Sequence, residues 1–366
     1  MVIKEIDFKF SAGSNDKFLE FVKNISKKDR IAIISHNDLD GLTSGKVVYK
    51  FLIEVFGIKP NLVKFVGYEE VNDKLVEELK TTKINKIIFS DLAIDVVEII
   101  RKISEFCDVL LIDHHLFNED FNSDKITFID IQGDCAAYIC YRLFSQLDKD
   151  KDLEKIDWLI ASACVADWQY FNNQEFMKKI YEKYGDSFEI IGDKTDFGGI
   201  RKSGLFWDLQ WELSLSLIYF RSNLEQFFEH FNDKINDLEY LRKYSKIISK
   251  EIDKSIELFE KEKEPIGNCY IWEIKEEKYN IRSVVSNLVS AKYFTKTIIV
   301  IIKRGNRYSV SGRRQDRKVS IFELLKKCME GLEESFSGGH IAAGGGYFLV
   351  KDLDKFKENL KKYSLF

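Results

Sequence analysis

Residues 109–117 read VLLIDHHLF, in which four apolar residues are followed directly by Asp113, His114 and His115. An uninterrupted apolar run of this length is typical of a strand that is buried on both faces of a parallel sheet. The chain has only five histidines, and two of them stand side by side where this strand should end. We therefore expect an α/β sheet here, with a polar site at the end of the strand.

The same pattern extends to both sides of this segment, from Arg30 to about Asp130. Short apolar runs alternate with amphipathic stretches, and the runs are RIAIISH, NLVKFVGY, KIIFSDL, VLLID and ITFID. Alternation of this kind predicts a parallel sheet covered by helices. Sites in such sheets lie at the carboxyl ends of the strands. Polar residues are concentrated at those predicted ends: His36, Asp38 and Asp40 after the first run, and Asp91 after the third.

The rest of the chain divides into a helical part and a second α/β part. Residues 135–183 show helical spacing, and Asp167 is the single charged residue in the run WLIASACVADW. Residues 209–264 repeat apolar residues at helical spacing among many charges, which predicts a connector of long helices. After Pro265 and Gly267 a second pattern begins, with expected strands at CYIWEI, TIIVIIKR, RYSVSG and GGYFLV and expected helices at IRSVVSNLVSAKYF and residues 320–331.

Length and composition limit the class of protein. With 366 residues, 45% of them hydrophobic, the chain is expected to form two globular domains with a connector. Its formal charge of −4 argues against a surface that is basic throughout. The six cysteines form no C-x-x-C pair, which argues against a disulfide framework or a zinc site. We see no secretory signal and no apolar run of about 20 residues, so we expect a cytoplasmic protein with no membrane span.

The candidate site residues are carboxylates and imidazoles, which are distant in sequence but meet if neighbouring strands end at one edge. Such side chains suit a hard or borderline divalent ion such as Mn²⁺, whereas structural zinc sites use cysteine. There are enough of them for two ions. Two divalent ions about 3.5–4 Å apart can activate a water molecule and stabilise both the attacking and the leaving oxygen of a phosphoryl group. The residues therefore favour two-metal phosphodiester hydrolysis.

The segments SHNDLDGLTS, FSDLAID, LIDHHLF and CVADW, followed downstream by SGRR and SGGHIAAGG, resemble the motifs of the DHH/DHHA1 phosphoesterase superfamily. The first motif, with the spacing H-x-D-x-D-G and a following Thr-Ser, is most similar to that of archaeal RecJ-like nucleases. The resemblance implies an α/β fold with three parts. A DHH domain with a parallel sheet flanked by helices would occupy residues 1–190, a helical connector residues 191–264, and a smaller α/β DHHA1 domain residues 265–366.

The resemblance also implies a role for each motif residue in the first domain. One manganese ion would be held by His36, Asp38 and Asp91, and the other by Asp40, Asp91, His114 and Asp167, so that Asp91 bridges the two; Mg²⁺ is an expected substitute. Asp113 would orient an imidazole, as the partners of metal-binding histidines commonly do. His115 would face the scissile phosphate.

In the second domain, the resemblance assigns substrate binding to Arg313, Gly338, Gly339 and His340, and it counts His340 with Asp113 and His115 as catalytic. Glycine lets the backbone approach a phosphate closely, and arginine suits bidentate phosphate binding. The family usually has more glycines before the histidine, whereas Ser337 precedes Gly338 here. Alternation along a strand predicts that Arg314 points to the opposite face from Arg313 and is solvated.

Each motif also has a simpler structural interpretation. Asp38, Asp40 and Asp91 can cap nearby helices, His114 and His115 can be satisfied structural histidines, and SGGHIAAGGG can be a tight turn before a strand. A calcium loop at DLDG is disfavoured, because no acidic residue follows at the spacing of an EF-hand. Taken together the motifs favour a site, since four of the five histidines fall inside them and only His230 remains, as an expected surface residue.

The resemblance implies an exonuclease that removes nucleotides from single-stranded DNA or RNA. One alternative is an oligonucleotide (nanoRNase-like) or cyclic-dinucleotide phosphodiesterase, relatives that usually carry a longer H-x-x-x-D-x-D motif; another is a non-catalytic scaffold associated with a helicase. Expected partners are the nucleic acid, a helicase or a replication and repair complex, and a second copy of the chain. Within the connector, LQWELSLSLIYF is a candidate for docking or self-association, and the simpler interpretation is that it packs on the first domain.

Overall fold

The computed structural model describes residues 7–92, 97–117, 119–191 and 202–363. The chain forms two compact units, which meet in sequence between Ser245 and Lys246. Each unit contains its own β-sheet. Both units are α/β, as the sequence predicts: the first sheet has five strands and is parallel, and the second has six strands and is mixed.

The first unit is built on a five-stranded parallel sheet in the order β2-β1-β3-β4-β5. Its strands are β1 (Ile31–His36), β2 (Leu62–Val66), β3 (Lys86–Ser90), β4 (Asp108–Asp113) and β5 (Ile126–Asp130). Each corresponds to one of the apolar runs in the sequence. Successive residues of β1 enter separate cores, Ile31 and Ile33 on one face and Ala32 and Ile34 on the other. Burial on both faces explains why the runs of the central strands β1, β3 and β4 are mostly apolar.

Helices cover both faces of this sheet. The helices are α1 (Asn15–Lys23), α2 (Leu39–Glu54), α3 (Asp73–Thr81), α4 (Val97–Ser104), α5 (Ala136–Ser145), α6 (Asp157–Ala166) and α7 (Gln174–Lys183). The buried side chains of α3 and α4 belong to one core, and those of α1, α2, α5, α6 and α7 belong to the other. Because α2 follows β1 directly, its first turn lies at the carboxyl edge of the sheet, where the site was expected.

Three further helices occupy the region predicted as a connector: α8 (Leu205–Tyr219), α9 (Leu224–Glu229) and α10 (Glu239–Glu262). Leu209, Leu213 and Leu217 are buried in the core of the first unit, and α8 packs against α6. These apolar residues of LQWELSLSLIYF are therefore core residues, which confirms the simpler interpretation of that segment. His230 is only half-exposed, because its ring stacks on that of Tyr240 with centroids 3.8 Å apart.

The second unit contains a six-stranded sheet in the order β10-β11-β9-β8-β7-β6. Its strands are β6 (Glu264–Ile266), β7 (Cys269–Ile274), β8 (Thr297–Arg304), β9 (Arg307–Arg313), β10 (Phe336–Gly339) and β11 (Ala343–Leu349), and its helices are α11 (Arg282–Lys292), α12 (Ile321–Cys328) and α13 (Leu353–Tyr363). Only β7 and β8 pair in parallel.

The two outermost strands of this sheet were not predicted from the sequence. Pro265 was taken as a boundary, yet it lies within β6, at a sheet edge where a strand tolerates proline. The segment SGGHIAAGGG was taken as a loop or turn, yet its first three residues lie in β10.

Among the described residues, no helix combines the length and the apolar content needed to cross a bilayer.

Candidate metal centre

The polar residues predicted at the strand ends do lie together at the carboxyl edge of the first sheet. His36 is the last residue of β1, Asp91 directly follows β3, and Asp113 is the last residue of β4. Since β1, β3 and β4 are neighbouring parallel strands, their carboxyl ends reach the same edge. Residues that are far apart in sequence are thereby brought into one cluster.

The turn from β1 into α2 fixes the first two residues of the cluster. Asp38 is the N-cap of α2 and accepts a hydrogen bond from the backbone N–H of Gly41 at 2.9 Å, so the capping interpretation is confirmed. Its other oxygen, Oδ2, lies 2.9 Å from His36 Nδ1. A Cβ on Gly41 would lie 2.3 Å from the carbonyl oxygen of His36, which explains the glycine of this motif. Capping the helix therefore leaves one Asp38 oxygen beside an imidazole.

Asp40 is buried and caps a helix other than its own. Its two carboxylate oxygens accept hydrogen bonds from the backbone N–H groups of Ala136 and Ala137, each at 2.8 Å, in the first turn of α5. The N-cap residue of α5, Cys135, makes no side-chain cap hydrogen bond. The Asp40 carboxylate therefore satisfies N–H groups that would otherwise lack a partner and favourably meets the positive end of the helix dipole.

Asp91 lies between the two histidines that were predicted as ligands. Its Oδ1 is 3.2 Å from His114 Nε2, and its Oδ2 is 3.6 Å from His36 Nδ1. The residue has φ 59°, in the left-handed region that a residue other than glycine adopts at a cost. The suggestion that Asp91 caps a helix concerns residues 93–96, which lie outside the described residues.

His114 connects Asp91 to the remaining carboxylates. Its Nε2 lies 3.8 Å from Asp40 Oδ2 and 3.8 Å from Asp167 Oδ2. Asp167 directly follows α6, and its Oδ2 is buried without a hydrogen-bond partner among the described residues. A buried carboxylate oxygen without a donor is costly, and a cation would remove that cost.

Asp113 holds the loop that carries both histidines. Its Oδ1 accepts hydrogen bonds from the backbone N–H groups of His114, at 2.7 Å, and His115, at 3.3 Å. The same oxygen lies 2.7 Å from Nδ1 of His115, so Asp113 orients the ring of His115 rather than that of His114. The His115 side chain is 34% exposed, compared with 7% for His114. One imidazole therefore points into the carboxylate cluster and the other reaches solvent.

Three groups of these side chains have ligand atoms within 4.8 Å of one another. They are His36, Asp38 and Asp91; Asp40, His114 and Asp167; and Asp91, Asp113, His114 and His115. The first group is the set that the resemblance assigned to one ion. The second is the set assigned to the other ion without Asp91, which lies 3.2 Å from His114. The assignment of each residue as a ligand stays a prediction.

The electrostatics of the cluster also fit a divalent cation. Burial raises the pKa of Asp40 and of Asp91, and neighbouring carboxylates raise both further. Burial and the charges of Asp91 and Asp38 raise the pKa of Asp167 to about 7. Burial alone would lower the pKa of His36 and His114, but the adjacent carboxylates outweigh burial and raise both to about 10. The raised pKa values mean that these crowded side chains favour protonation. A divalent ion would neutralise the negative charge instead and displace protons.

The structure adds residues that the sequence analysis did not select. The ring of Tyr68 stacks on that of His36, with centroids 4.8 Å apart and planes 15° apart. Arg221, after α8, donates a hydrogen bond to the carbonyl of Asn37 at 3.1 Å, within the His36–Asp38 turn. Tyr68 follows β2, so the rule that sites lie after parallel strands could have found it. Nothing in the sequence near Arg221 points to that turn.

In the second unit, the predicted glycine loop is the tip of the β10–β11 hairpin. Gly338 and Gly339 lie in β10, and His340 follows it with an exposed side chain. Gly339 has φ 140°, and a Cβ there would lie 2.4 Å from the carbonyl oxygen of Ala343. The carbonyls of His340 and Ile341 accept hydrogen bonds from the first N–H groups of α12. The glycines thus allow the close backbone contacts of the hairpin. Ser337 lies within β10.

The two adjacent arginines, Arg313 and Arg314, have different environments. Arg313, at the end of β9, donates to Ser283 Oγ at 3.0 Å, and its Nε is buried without a partner among the described residues. Arg314 was predicted to be solvated, which is wrong. It is 5% exposed and forms a two-point ion pair with Asp316, at 2.7 and 3.0 Å. Arg314 leaves the sheet after β9, so strand alternation no longer sets its direction.

Comparison with known proteins identifies the first part of the chain. Residues 30–166 match the N-terminal domain of the DHH family. Among curated proteins, none matches the sequence.

Solved structures match the fold at low sequence identity. RecJ from Thermus thermophilus in complex with Mn²⁺ gives a TM-score of 0.67 at 14% identity, covering 99% of this chain and 55% of the RecJ chain. A DHH domain from a member of a ribosomal protein family gives 0.68 at 13% identity, covering 99% and 95%. CDC45 from Entamoeba histolytica gives 0.62 at 11%, covering 95% and 98%. The chain spans about half the length of the Thermus RecJ chain.

Proposed function

We propose that this chain, whose residues 30–166 are a DHH-family domain within a RecJ-like fold, is a divalent-metal-dependent exonuclease that acts on single-stranded nucleic acid. The match of residues 30–166 to the DHH family and the RecJ-like fold support a metal-dependent phosphoesterase. The nuclease activity, the single-stranded substrate and the preference for Mn²⁺ are our proposal. The observation that carries it is the pair of ligand groups that meet at Asp91.

The cluster would hold two ions. His36, Asp38 and Asp91 would bind one, and Asp40, Asp91, His114 and Asp167 the other. When bound, two such ions supply an activated water and stabilise the oxygens of a phosphoryl group. Carboxylate and imidazole ligands suit Mn²⁺ and also Mg²⁺, and Thermus RecJ has been solved in complex with each.

The remaining residues would bind and orient the substrate. Asp113 fixes the ring of His115 through Nδ1, which leaves Nε2 free to contact a phosphate oxygen. Arg313 is partly exposed at the end of β9, and its guanidinium can bind a second phosphate. The exposed His340 at the hairpin tip can contact the same group.

A non-catalytic scaffold is disfavoured by the completeness of the cluster. A scaffold has no need for four clustered aspartates, two of which, Asp40 and Asp91, are almost fully buried. Association with a helicase or a replication complex is part of the proposal, and so is self-association.

Digestion of end-labelled single-stranded DNA and RNA tests the proposal. Substrates would range from dinucleotides to long oligonucleotides, with Mn²⁺ or Mg²⁺ present, and a chelator would be the negative control. We expect long strands to shorten progressively from one end. Cleavage confined to pieces of a few nucleotides would favour the nanoRNase-like alternative. Cyclic dinucleotides would be tested as well, and hydrolysis of these alone would favour a cyclic-dinucleotide phosphodiesterase. No hydrolysis by wild-type protein with either ion would contradict the enzyme assignment.

A further inference from the structure

An exposed aromatic side chain stands at the start of the hairpin in the second unit. Phe336 is the first residue of β10, which is an edge strand, and it is 58% exposed. Exposing this much of an aromatic ring forgoes the free energy that its burial would contribute. The residue lies shortly before Gly338 and His340, in the segment assigned above to substrate binding.

The ring of Phe336 stacks on that of Tyr347, which in turn contacts Arg307, and we call these three residues the Phe336 stack. Phe336 pairs directly with Tyr347 of β11, and the two rings stack with centroids 5.9 Å apart and planes 28° apart. The guanidinium of Arg307 lies 4.7 Å from the centre of the Tyr347 ring, and Glu334 binds Arg307 at 2.8 Å. The order of the stack is therefore arginine, tyrosine, phenylalanine, with the phenylalanine outermost.

The ring of Phe336 also lies beside a glycine of its own strand. A Cβ on Gly338 would lie 3.4 Å from Cζ of Phe336, in van der Waals contact. The ring therefore lies along its own strand towards Gly338, in the direction of the hairpin tip. An apolar ring is thus placed beside the backbone that would approach a phosphate.

We propose that Phe336 is the platform on which one base of the single-stranded substrate stacks. The proposal rests on the proposed function and names the group that would recognise a nucleotide in the second unit. Proteins that bind single strands without sequence preference combine phosphate contacts with exposed aromatic rings, because every base has a face that can stack. Gly338, Gly339 and His340 would bind the phosphate, and Phe336 the base beside it.

A second copy of the chain is the competing occupant of this edge. Exposed edge strands can pair with another molecule, and short strands reduce that tendency. The strand β10 has four residues, two of them glycine, and so offers little apolar surface apart from Phe336. The position of the ring beside the hairpin tip favours the base.

Binding of labelled single-stranded DNA in the presence of a chelator tests the proposal without hydrolysis. A series of oligonucleotides would carry one abasic nucleotide at successive positions, and fluorescence anisotropy would report affinity. With wild-type protein we expect the loss of one particular base to weaken binding more than the others. With Phe336→Ala we expect weaker binding of the intact strand, by about 5- to 150-fold, and no extra penalty at that position.

Two further variants control for the removal of an exposed ring. Phe336→Trp keeps a stacking surface and should retain most of the affinity. Phe294→Ala removes another phenylalanine that is also 58% exposed, and it should bind like wild type. The proposal is wrong if Phe336→Ala binds the intact strand like wild type. It is also wrong if removal of that one base still weakens binding to Phe336→Ala more than removal of the others. If Phe336→Ala instead lowers the mass measured by sedimentation, Phe336 belongs to a contact between copies.

The outcome is separable from that of the proposed function. Binding that depends on Phe336, by a wild-type protein that hydrolyses no nucleic acid with Mn²⁺ or Mg²⁺, would refute the nuclease and retain the platform. If instead the wild type hydrolyses long strands, and Phe336→Ala changes neither hydrolysis nor binding, the nuclease would be retained and the platform refuted.

Discussion

Asp91 combines a strained backbone with the most central position in the cluster. Its φ of 59° lies where a residue with a side chain is disfavoured by roughly 1–2 kcal/mol relative to glycine. Strain of this kind persists where the surrounding structure enforces it, and it is frequent at functional sites. The carboxylate between His36 and His114 gives a reason for keeping an aspartate at this position.

The first prediction compares two replacements of Asp91. Asp91→Ala and Asp91→Gly should both lower hydrolysis by more than about two orders of magnitude, because each removes the carboxylate that is proposed to bridge the two ions. The glycine variant should be more stable than the alanine variant by about 1 kcal/mol, because glycine adopts this backbone conformation freely. Steady-state rates and urea unfolding measure the two effects. Substantial activity in either variant would contradict the two-metal assignment, and equal stability would show that the backbone is not strained.

The second prediction separates the adjacent histidines. His114 points into the carboxylate cluster, whereas His115 is oriented by Asp113 and reaches solvent. His114→Ala should therefore lower the manganese content, and His115→Ala should keep the metal but hydrolyse slowly. Elemental analysis of the purified variants, together with rates at saturating Mn²⁺, distinguishes them. An equal loss of manganese in both variants would mean that the roles of the two imidazoles are misassigned.

At the scale of the elements, the start of α5 depends on a side chain from the start of α2. Asp40 accepts hydrogen bonds from two backbone N–H groups of α5, although 96 positions separate it from the first of them. The same carboxylate is a candidate metal ligand. The cluster is therefore coupled to the start of α5. The loss of Asp40 should lower the stability of the fold as well as the binding of metal.

The third prediction measures this coupling without metal. In the presence of a chelator, Asp40→Ala should lower the free energy of unfolding by about 1 kcal/mol, as expected for a lost helix cap. Asp40→Asn should lose less, because the amide oxygen still accepts one hydrogen bond. The matched control is Asp167→Ala, which removes a carboxylate of the same cluster whose buried oxygen has no partner among the described residues. An alanine variant at Asp40 that unfolds like wild type would show that the cap is dispensable.

The elements also show how far local patterns predict structure. The five runs of the first unit became β1 to β5, and in the central strands β1, β3 and β4 burial on both faces leaves a continuous local signal. The hairpin strand β10 gave no such signal, since two of its four residues are glycines and it forms by pairing with β11. Its glycines are explained by close backbone contacts across the hairpin, which a sequence does not display.

At the scale of the whole molecule, the fold is shared with RecJ and CDC45 at identities of 14% and 11%. So low an identity is compatible with one fold because core packing tolerates many apolar sequences that keep volume and pattern. The proposed activity would depend instead on a few polar residues at the edge of the first sheet. Removal of metal should therefore affect the stability of the whole protein through this one cluster.

The fourth prediction concerns metal and thermal stability. Mn²⁺ at about 100 times its dissociation constant should stabilise the folded protein by about 2.7 kcal/mol per site, because it binds the folded cluster and not the unfolded chain. The midpoint of thermal unfolding should rise on addition of Mn²⁺ and fall after chelation. The Asp91→Ala variant should show little of this shift. A midpoint that is unchanged by Mn²⁺ in the wild type would argue against a metal site in the cluster.

The sequence by itself determined the alternation of strands and helices, the parallel first sheet, and the order of polar residues at its strand ends. These features are local, since they depend on the spacing of apolar residues and on the polar residues that come directly after each run. Only the tertiary structure decided that Asp40 caps α5, that Arg314 is buried against Asp316, and that Phe336 lies on Tyr347. Those contacts depend on how the chain folds beyond each strand, and local spacing carries no information about partners that only the fold brings together.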